Sequence, residues 1–337
     1  MLLYKNSSLR NYNSLHLESA AESLGIFTNI SEMQELRRLL TEFRGKIRII
    51  GSGSTILLQG NLSGLTLVNK FRGADVIEEE DDKAIVGVNS GEKLDTFLKW
   101  CAEKKLYGLE SLSGVWGSVG GALVRNESSF GRAIGDRVSG VKVFELETSS
   151  EKNLSREECE FDYHSSIFRA KAKNRFFISR IKFVLDKVHS PNLNYREIKQ
   201  IMRSRGISDL DAESYREVVL EYRKSRFPGK GFYHAGQFFE NPLIPVSKVE
   251  SLLELYPDIS FNKIDENSVR VPVRWLIEKT GWKNMNIGQA FAWQKNPAIL
   301  THRGNAKPQD FLVLVHLIKK EVMEKFGIEL NELVTFL

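Results

Sequence analysis

The chain has 337 residues, 42% hydrophobic and 27% charged, with 48 Lys and Arg against 43 Asp and Glu and a net charge of +5. That length exceeds what one hydrophobic core supports, so two or three domains are expected. The basic residues are spread along the chain, with a mild concentration only between Arg196 and Lys230, which favours an anionic small molecule over a nucleic-acid track. No run of 18 apolar residues occurs, and the first residues, MLLYKNSSLR, lack the apolar stretch of a signal peptide. A membrane span is therefore not expected, and the expected location is the cytoplasm. Cys101 and Cys159 fit no disulfide framework and no metal spacing, as in a reducing compartment, so no metal is assigned. Oligomeric state cannot be read from the chain.

In chain order, SEMQELRRLLTEFRG reads as a helix with Ser31 as its N-cap, between a polar start and strands at IRII and LTLVN. AIVGVNSG reads as a strand, EKLDTFLKWCAEKKL as a helix, and GVKVFELE and RFFISRIKFVLD as further strands. The polar stretch 195–227, YREIKQIMRSRGISDLDAESYREVVLEYRKSRF, is helix-rich and reads as the passage into a last domain. Beyond Gly229, helices are expected at VSKVESLLELYP, RWLIEKTG and KPQDFLVLVHLIKKEVMEKFG, the last closed by Gly327. Strands and helices mix throughout, which gives an α+β class.

Two glycine loops stand out. GLESLSGVWGSVGGALVRNESSFG, residues 108–131, has six glycines and five serines, and no charged side chain falls between Ser111 and Val124. IRIIGSGSTILLQG, residues 47–60, repeats the theme on a smaller scale. Such loops bring backbone N–H groups against something flat or anionic. GSGST lacks both the third glycine of GxGxxG and the P-loop lysine, and a single loop of this kind is as well read as a pair of tight turns. Two loops, each after an apolar strand-like run, point to one extended cofactor held from two sides. A flavin fits that description.

Several long motifs in order then resemble the UDP-N-acetylenolpyruvoylglucosamine reductase (MurB) family over essentially the whole chain. They are LRNYNSL at 9–15, IIGSGSTILL, the 108–131 loop, CEFDYHSSIFR at 159–169, AGQFFENP at 235–242, RWLIEKTGWKNMNIG, and the final GNAKPQDFLVLVHLIKKEVMEKFGIEL. The resemblance implies an FAD-binding two-subdomain module of the MurB / vanillyl-alcohol-oxidase type, followed by a MurB-like substrate domain. The corresponding segments are 1–70, 71–215 and 216–337, with the last residues returning to the first. It implies that FAD contacts Gly51, Ser52, Gly53, Ser54 and Thr55 in one loop, and Ser113, Gly114, Gly117, Ser118, Gly120, Gly121, Asn126 and Gly131 in the other. No histidine lies in either loop, so the FAD is expected to be non-covalent. NADPH is the reductant that the resemblance implies.

In the family a serine of the AGSFF motif protonates the substrate, while an arginine and a late glutamate stabilise developing charge. An enolate-like intermediate needs such support. Here these positions hold Gln237, His164 and Leu333, with Glu332 one residue away from the last. The amide of glutamine hydrogen-bonds but does not act as an ordinary proton donor. An imidazole is a potential acid or base, although a lone histidine is equally well read as structural. His234 lies three residues before Gln237, and Trp116 and Trp293 stand where the family has proline and often histidine. The substrate grips that the resemblance implies, Tyr163, Tyr195, Lys230 and Asn241, are kept, and a lysine suits a diphosphate as a mobile point charge.

Three readings follow. The first is a flavoenzyme acting on a nucleotide-activated sugar with chemistry altered from enolpyruvyl reduction. The second is an authentic reductase of the family using a rearranged set, His164 and Glu332. The third is an inactive flavin- or nucleotide-sugar-binding relative.

Overall fold

The computed structural model describes residues 1–43, 45–207 and 211–337. The chain divides into two compact units that are discontinuous in sequence. The first gathers residues 1–7, 21–53 and 62–225, and the second gathers 8–20, 54–61 and 226–337.

The first unit holds two sheets. Strands Leu3–Ser8, Ala20–Phe27, Leu62–Asn69 and Ile47–Ile50 lie side by side in that order. Leu62–Asn69 runs parallel to both Ala20–Phe27 and Ile47–Ile50. Such central strands are buried on both faces, and six residues in a row from Gly64 are buried. Helix α1 (Met33–Glu42) covers this sheet with Met33, Leu36 and Leu39. The expected cap moves: Asn29, not Ser31, caps the entry by accepting the Ser31 N–H, and a 3-10 turn at Ile30–Glu32 precedes the helix. An asparagine two residues earlier meets the first free N–H as well as a serine does.

The second sheet is antiparallel, in the order Ser150–Leu154, Val138–Glu145, Phe176–Asp186, Lys83–Asn89 and Ala74–Glu79. Helices α2 (Leu94–Glu103) and α3 (Val119–Val124) bury Leu94, Phe97, Leu98, Val119 and Leu123 against it. Phe144 and Phe177 of this sheet join the cluster under α1, where Phe27 meets Phe177 at 4.9 Å between ring centres. The helix-rich stretch yields α4 (Arg196–Arg205) and α5 (Ala212–Arg226), while residues 208–210 of it lie outside the described residues. These two helices enclose Phe130 with Ile198, Met202, Tyr215, Val218 and Val219.

The second unit has its own core. Strands Tyr233–Gln237, Asn296–His302, Ala290–Trp293 and Asn286–Ile287 form one sheet, and Leu243–Pro245, Ser268–Arg270 and Asn262–Lys263 another. Helices α6 (Val246–Leu255), α7 (Val273–Lys279) and α8 (Pro308–Phe326) pack on them. In α8 the buried positions Phe311, Leu314, Val315, Ile318, Val322 and Phe326 keep a three- and four-residue spacing. Gly327 closes the helix at φ +60°, a left-handed turn that glycine takes without steric cost. Leu15, Leu17 and Leu57 belong to this core, and Thr335–Phe336 pairs in parallel with Ile56–Leu57.

Candidate functional site

The two glycine loops meet in the first unit. A Cβ on Gly51 would run into Ser118 Oγ, so only glycine lets the strand end at Ile50 approach the second loop. Gly120 is similarly tight, with a Cβ there falling 2.8 Å from that of Ser90. The backbone donors are distributed unevenly. Val119 and Gly120 N–H donate to the carbonyls of Glu92 and Ser90 at 2.8 Å each, and Gly121 N–H to Ser118 Oγ at 3.2 Å. Gly114 N–H goes to Asp95 Oδ1 at 2.7 Å. Among the described residues, the N–H groups of Ser52, Gly53, Gly117 and Ser118 meet no internal acceptor. The bare donors therefore sit at the loop apices, and the helix start that follows is internally satisfied. Open N–H groups on backbone that carries no side chain at Gly53 and Gly117 fit a cofactor that offers a diphosphate and a flat ring. In the second unit, Ser54 accepts from Ser14 Oγ through its carbonyl at 3.1 Å and Thr55 accepts from Thr335 N–H at 3.0 Å.

The second loop is braced from outside. Arg216 of α5 makes a bidentate pair with Asp95 at 2.8 and 2.9 Å, and Asp95 also takes the Gly114 N–H. Burial raises the Asp95 carboxyl, but the Arg216 and Gly114 hydrogen bonds outweigh it and hold the group below its usual range. Arg223 Nε donates to Ser113 O at 2.6 Å, and its Nη2 to Ser129 Oγ at 3.1 Å. Burial pulls this guanidinium below its ordinary value.

Asn126 is buried and fully engaged: its Oδ1 accepts from Gly135 N–H at 3.0 Å and its Nδ2 donates to Asp162 O at 2.9 Å. It fixes a two-residue turn in which Asp162 and Ser165 exchange backbone bonds of 3.0 and 3.1 Å. Tyr163 and His164 are the tip of that turn, their rings 4.3 Å apart, and Arg169 Nη1 donates to His164 O at 2.8 Å. Tyr195 stands just before α4, edge-on to Phe130, and its hydroxyl lies 2.7 Å from where a Gly131 Cβ would be. Burial raises the Tyr195 hydroxyl pKa.

The remaining candidates belong to the second unit. Gln237 Nε2 donates to Phe239 O at 2.8 Å, which fixes the amide orientation because a carbonyl accepts only from the nitrogen. Leu333 donates its N–H to Phe238 O at 2.8 Å and its side chain is 2% exposed. Glu332, opposite Phe239, instead pairs with Lys319 at 2.6 Å with both side chains 29% exposed. The two neighbours have different surroundings: Leu333 is buried, whereas the Glu332 carboxylate is held on Lys319 of α8. His234 is buried, takes the Gly236 N–H on Nδ1 at 3.1 Å, and burial lowers it to about 4, so it stays neutral near pH 7. Asn241 Oδ1 accepts from Val273 N–H at 2.9 Å and thereby starts α7, and Lys230 is exposed. Trp293 packs on Phe232 at 4.9 Å, whereas Trp116 is 56% exposed. Sequence reasoning missed Asp95, Arg125, Glu127, Arg216 and Arg223. The available signal was that Arg125 and Glu127 are the first charges after the uncharged run 111–124. No cluster of metal-ligating side chains and no helix long and apolar enough to cross a membrane occurs among the described residues.

Residues 229–337 match the family described as UDP-N-acetylenolpyruvoylglucosamine reductase, C-terminal domain, and residues 24–149 match the FAD binding domain family. A UDP-N-acetylenolpyruvoylglucosamine reductase of Flavobacterium johnsoniae is 30% identical over 334 residues, 98% of each chain. The chain belongs to this family. A Pseudomonas putida relative of the same name is 28% identical over 96% of each chain. The crystal structure of the Thermus caldophilus enzyme (MurB) superposes with a TM-score of 0.66 at 20% identity, covering 99% of this chain and 98% of that one, which establishes the same fold. The fold class read from the sequence is borne out: a mixed α+β flavoprotein with a MurB-like C-terminal part, and FAD is the cofactor of the glycine-loop module.

Proposed function

We propose that the protein is an FAD-dependent oxidoreductase acting on a nucleotide-activated sugar in the cytoplasm, with chemistry altered from enolpyruvyl reduction. The observation that carries this reading is the engagement of Gln237. Its amide nitrogen is held on the Phe239 carbonyl, so the position offers a fixed acceptor oxygen rather than a proton donor. Leu333 contributes a buried hydrocarbon surface, and Glu332 is tied to Lys319. Bound FAD supplies two-electron hydride exchange. His164 replaces a fixed cation with an imidazole, which takes a hydroxyl proton as hydride leaves a carbinol carbon and returns it in the reverse direction. Tyr163, Tyr195, Lys230 and Asn241 hold the nucleotide sugar in this reading, with NADPH as electron donor for reduction and oxygen as acceptor for oxidation.

A second reading, the reductase activity for which its relatives are named, is favoured by the 30% identity over nearly the whole chain. One experiment separates the two. The absorbance spectrum of the purified protein reports bound flavin, and anaerobic NADPH then reports reducibility. Adding UDP-N-acetylenolpyruvoylglucosamine either restores the oxidised spectrum, which establishes the second reading, or leaves the flavin reduced, which removes it. Calorimetry with UDP-sugars that detects no binding would overturn the first.

A further inference from the structure

The first unit contains a buried charge imbalance beside the candidate site. Arg125 directly follows α3 and its side chain is 10% exposed. Among the described residues its one ion pair is a 3.5 Å approach of Nη2 to Glu127, and its Nε–H meets no acceptor there. Glu127 also acts on the buried Arg223, as does Asp95, which Arg216 already holds, so three guanidinium groups share two carboxylates. Arg223 satisfies itself with Ser111 O, Ser113 O and Ser129 Oγ. Arg125 has no comparable set. The residues on either side of it lie against the turn that carries His164, since Ser166 Oγ donates to Val124 O at 2.7 Å and Asn126 Nδ2 to Asp162 O.

A desolvated cation with an unused donor is costly unless an anion completes it. The fork of a guanidinium matches the paired oxygens of a carboxylate or phosphate. We propose that Arg125 is an anion-recognising residue of the site, receiving carboxylate or phosphate oxygens of a bound ligand, with Glu127 holding it in place until the ligand arrives. The two sources of that chemistry are the diphosphate of FAD and an acidic group on the sugar substrate. This inference rests on the reading of the protein as a flavin-dependent enzyme of nucleotide sugars.

The test uses the full chain and equilibrium binding rather than turnover. FAD, UDP-N-acetylglucosamine and its carboxylate-bearing enolpyruvyl ether are titrated into the wild type, Arg125→Gln, Arg125→Lys and Glu127→Gln. A lost charge-assisted hydrogen bond predicts that Arg125→Gln weakens at least one anionic ligand by about 10- to 100-fold, with Arg125→Lys intermediate. Loss confined to FAD identifies the cofactor diphosphate, and loss confined to the enolpyruvyl ether identifies the substrate carboxylate. Glu127→Gln removes the competing carboxylate and tightens the same ligand, a gain that structural damage would not mimic. Unchanged affinity for all three ligands in Arg125→Gln overturns the proposal. If that variant does not fold, unchanged affinity in Glu127→Gln overturns it instead. A wild type that binds neither FAD nor a nucleotide sugar refutes the functional reading. Titration with inorganic pyrophosphate then still decides whether Arg125 binds an anion.

Discussion

The glycine loops of the first unit and the segments around Gln237 and Leu333 in the second differ in what builds them. The loops are defined by missing side chains: Gly51 passes Ser118 because it has no Cβ, and the free donors are backbone N–H groups. The second region is defined by side chains, and each of them has a structural partner. Gln237 is bonded to Phe239 O, Glu332 to Lys319, and Leu333 has joined the interior. A cradle made of backbone tolerates change in its neighbours, whereas chemistry made of side chains is lost or redirected one residue at a time. On the proposed function, cofactor retention and reaction type separate within one chain.

The largest effect should come from installing, in the second region and at His164 of the first unit, the side chains whose absence the proposed function invokes. Gln237→Ser, combined with His164→Arg and Leu333→Glu, is expected to raise turnover of UDP-N-acetylenolpyruvoylglucosamine by about 100-fold or more, the typical worth of general acid catalysis. Stopped-flow reoxidation of the reduced flavin measures it; no gain would mean that the difference lies elsewhere in the site. On the other side of the comparison, Gly51→Val should abolish flavin retention by driving a side chain into Ser118, with unit stability lowered by about 1–3 kcal/mol from overpacking. Flavin content after gel filtration and a urea melt read the two effects separately, and a fully yellow variant would refute the steric argument.

A third effect is set by pH. Burial lowers His234 to about 4 from the ordinary 6.5, so the unfolded chain takes up a proton first as pH falls. The stability that His234 contributes is complete above pH 6.5 and is lost progressively between 6.5 and 4, about 3 kcal/mol at 1.36 kcal/mol per unit. His302, also lowered by burial, acts in the same direction. Urea midpoints at pH 7.5 and 4.5 should differ accordingly, and His234→Gln should flatten the dependence. The smallest effect is expected at the surface. Glu332→Gln breaks the ion pair with Lys319, each 29% exposed, and should cost no more than about 0.5 kcal/mol while leaving the flavin spectrum unchanged. A shifted spectrum would reinstate Glu332 as a group near the reacting atoms.

Much of the fold was legible because local pattern and tertiary role agree. IRII, GVKVFELE and the apolar stripe of the last helix appear as Ile47–Ile50, Val138–Glu145 and Pro308–Phe326. The shift from Ser31 to Asn29 shows the limit, since both residues cap well and backbone geometry decides between them. Composition located both glycine loops but not which donors are free. Gly120 and Gly121 look as available as Gly117 until Ser90 O and Ser118 Oγ are seen to accept from them. The Asp95–Arg216 brace, between residues 121 apart, has no local sequence signal.

The assignment of residues 8–20 and 54–61 to the second unit bears on how the protein is made. These segments leave the ribosome long before residues 226–337, and Leu15, Leu17 and Leu57 have no core to enter until that later part exists. The Ile56–Leu57 strand waits for Thr335–Phe336, and Leu337 N–H then closes on Leu57 O at 3.0 Å. Long-range pairings of this kind slow folding. The second unit must therefore be completed after synthesis of nearly the whole chain, and a fragment beginning at residue 226 would expose the apolar surface that the two early segments cover.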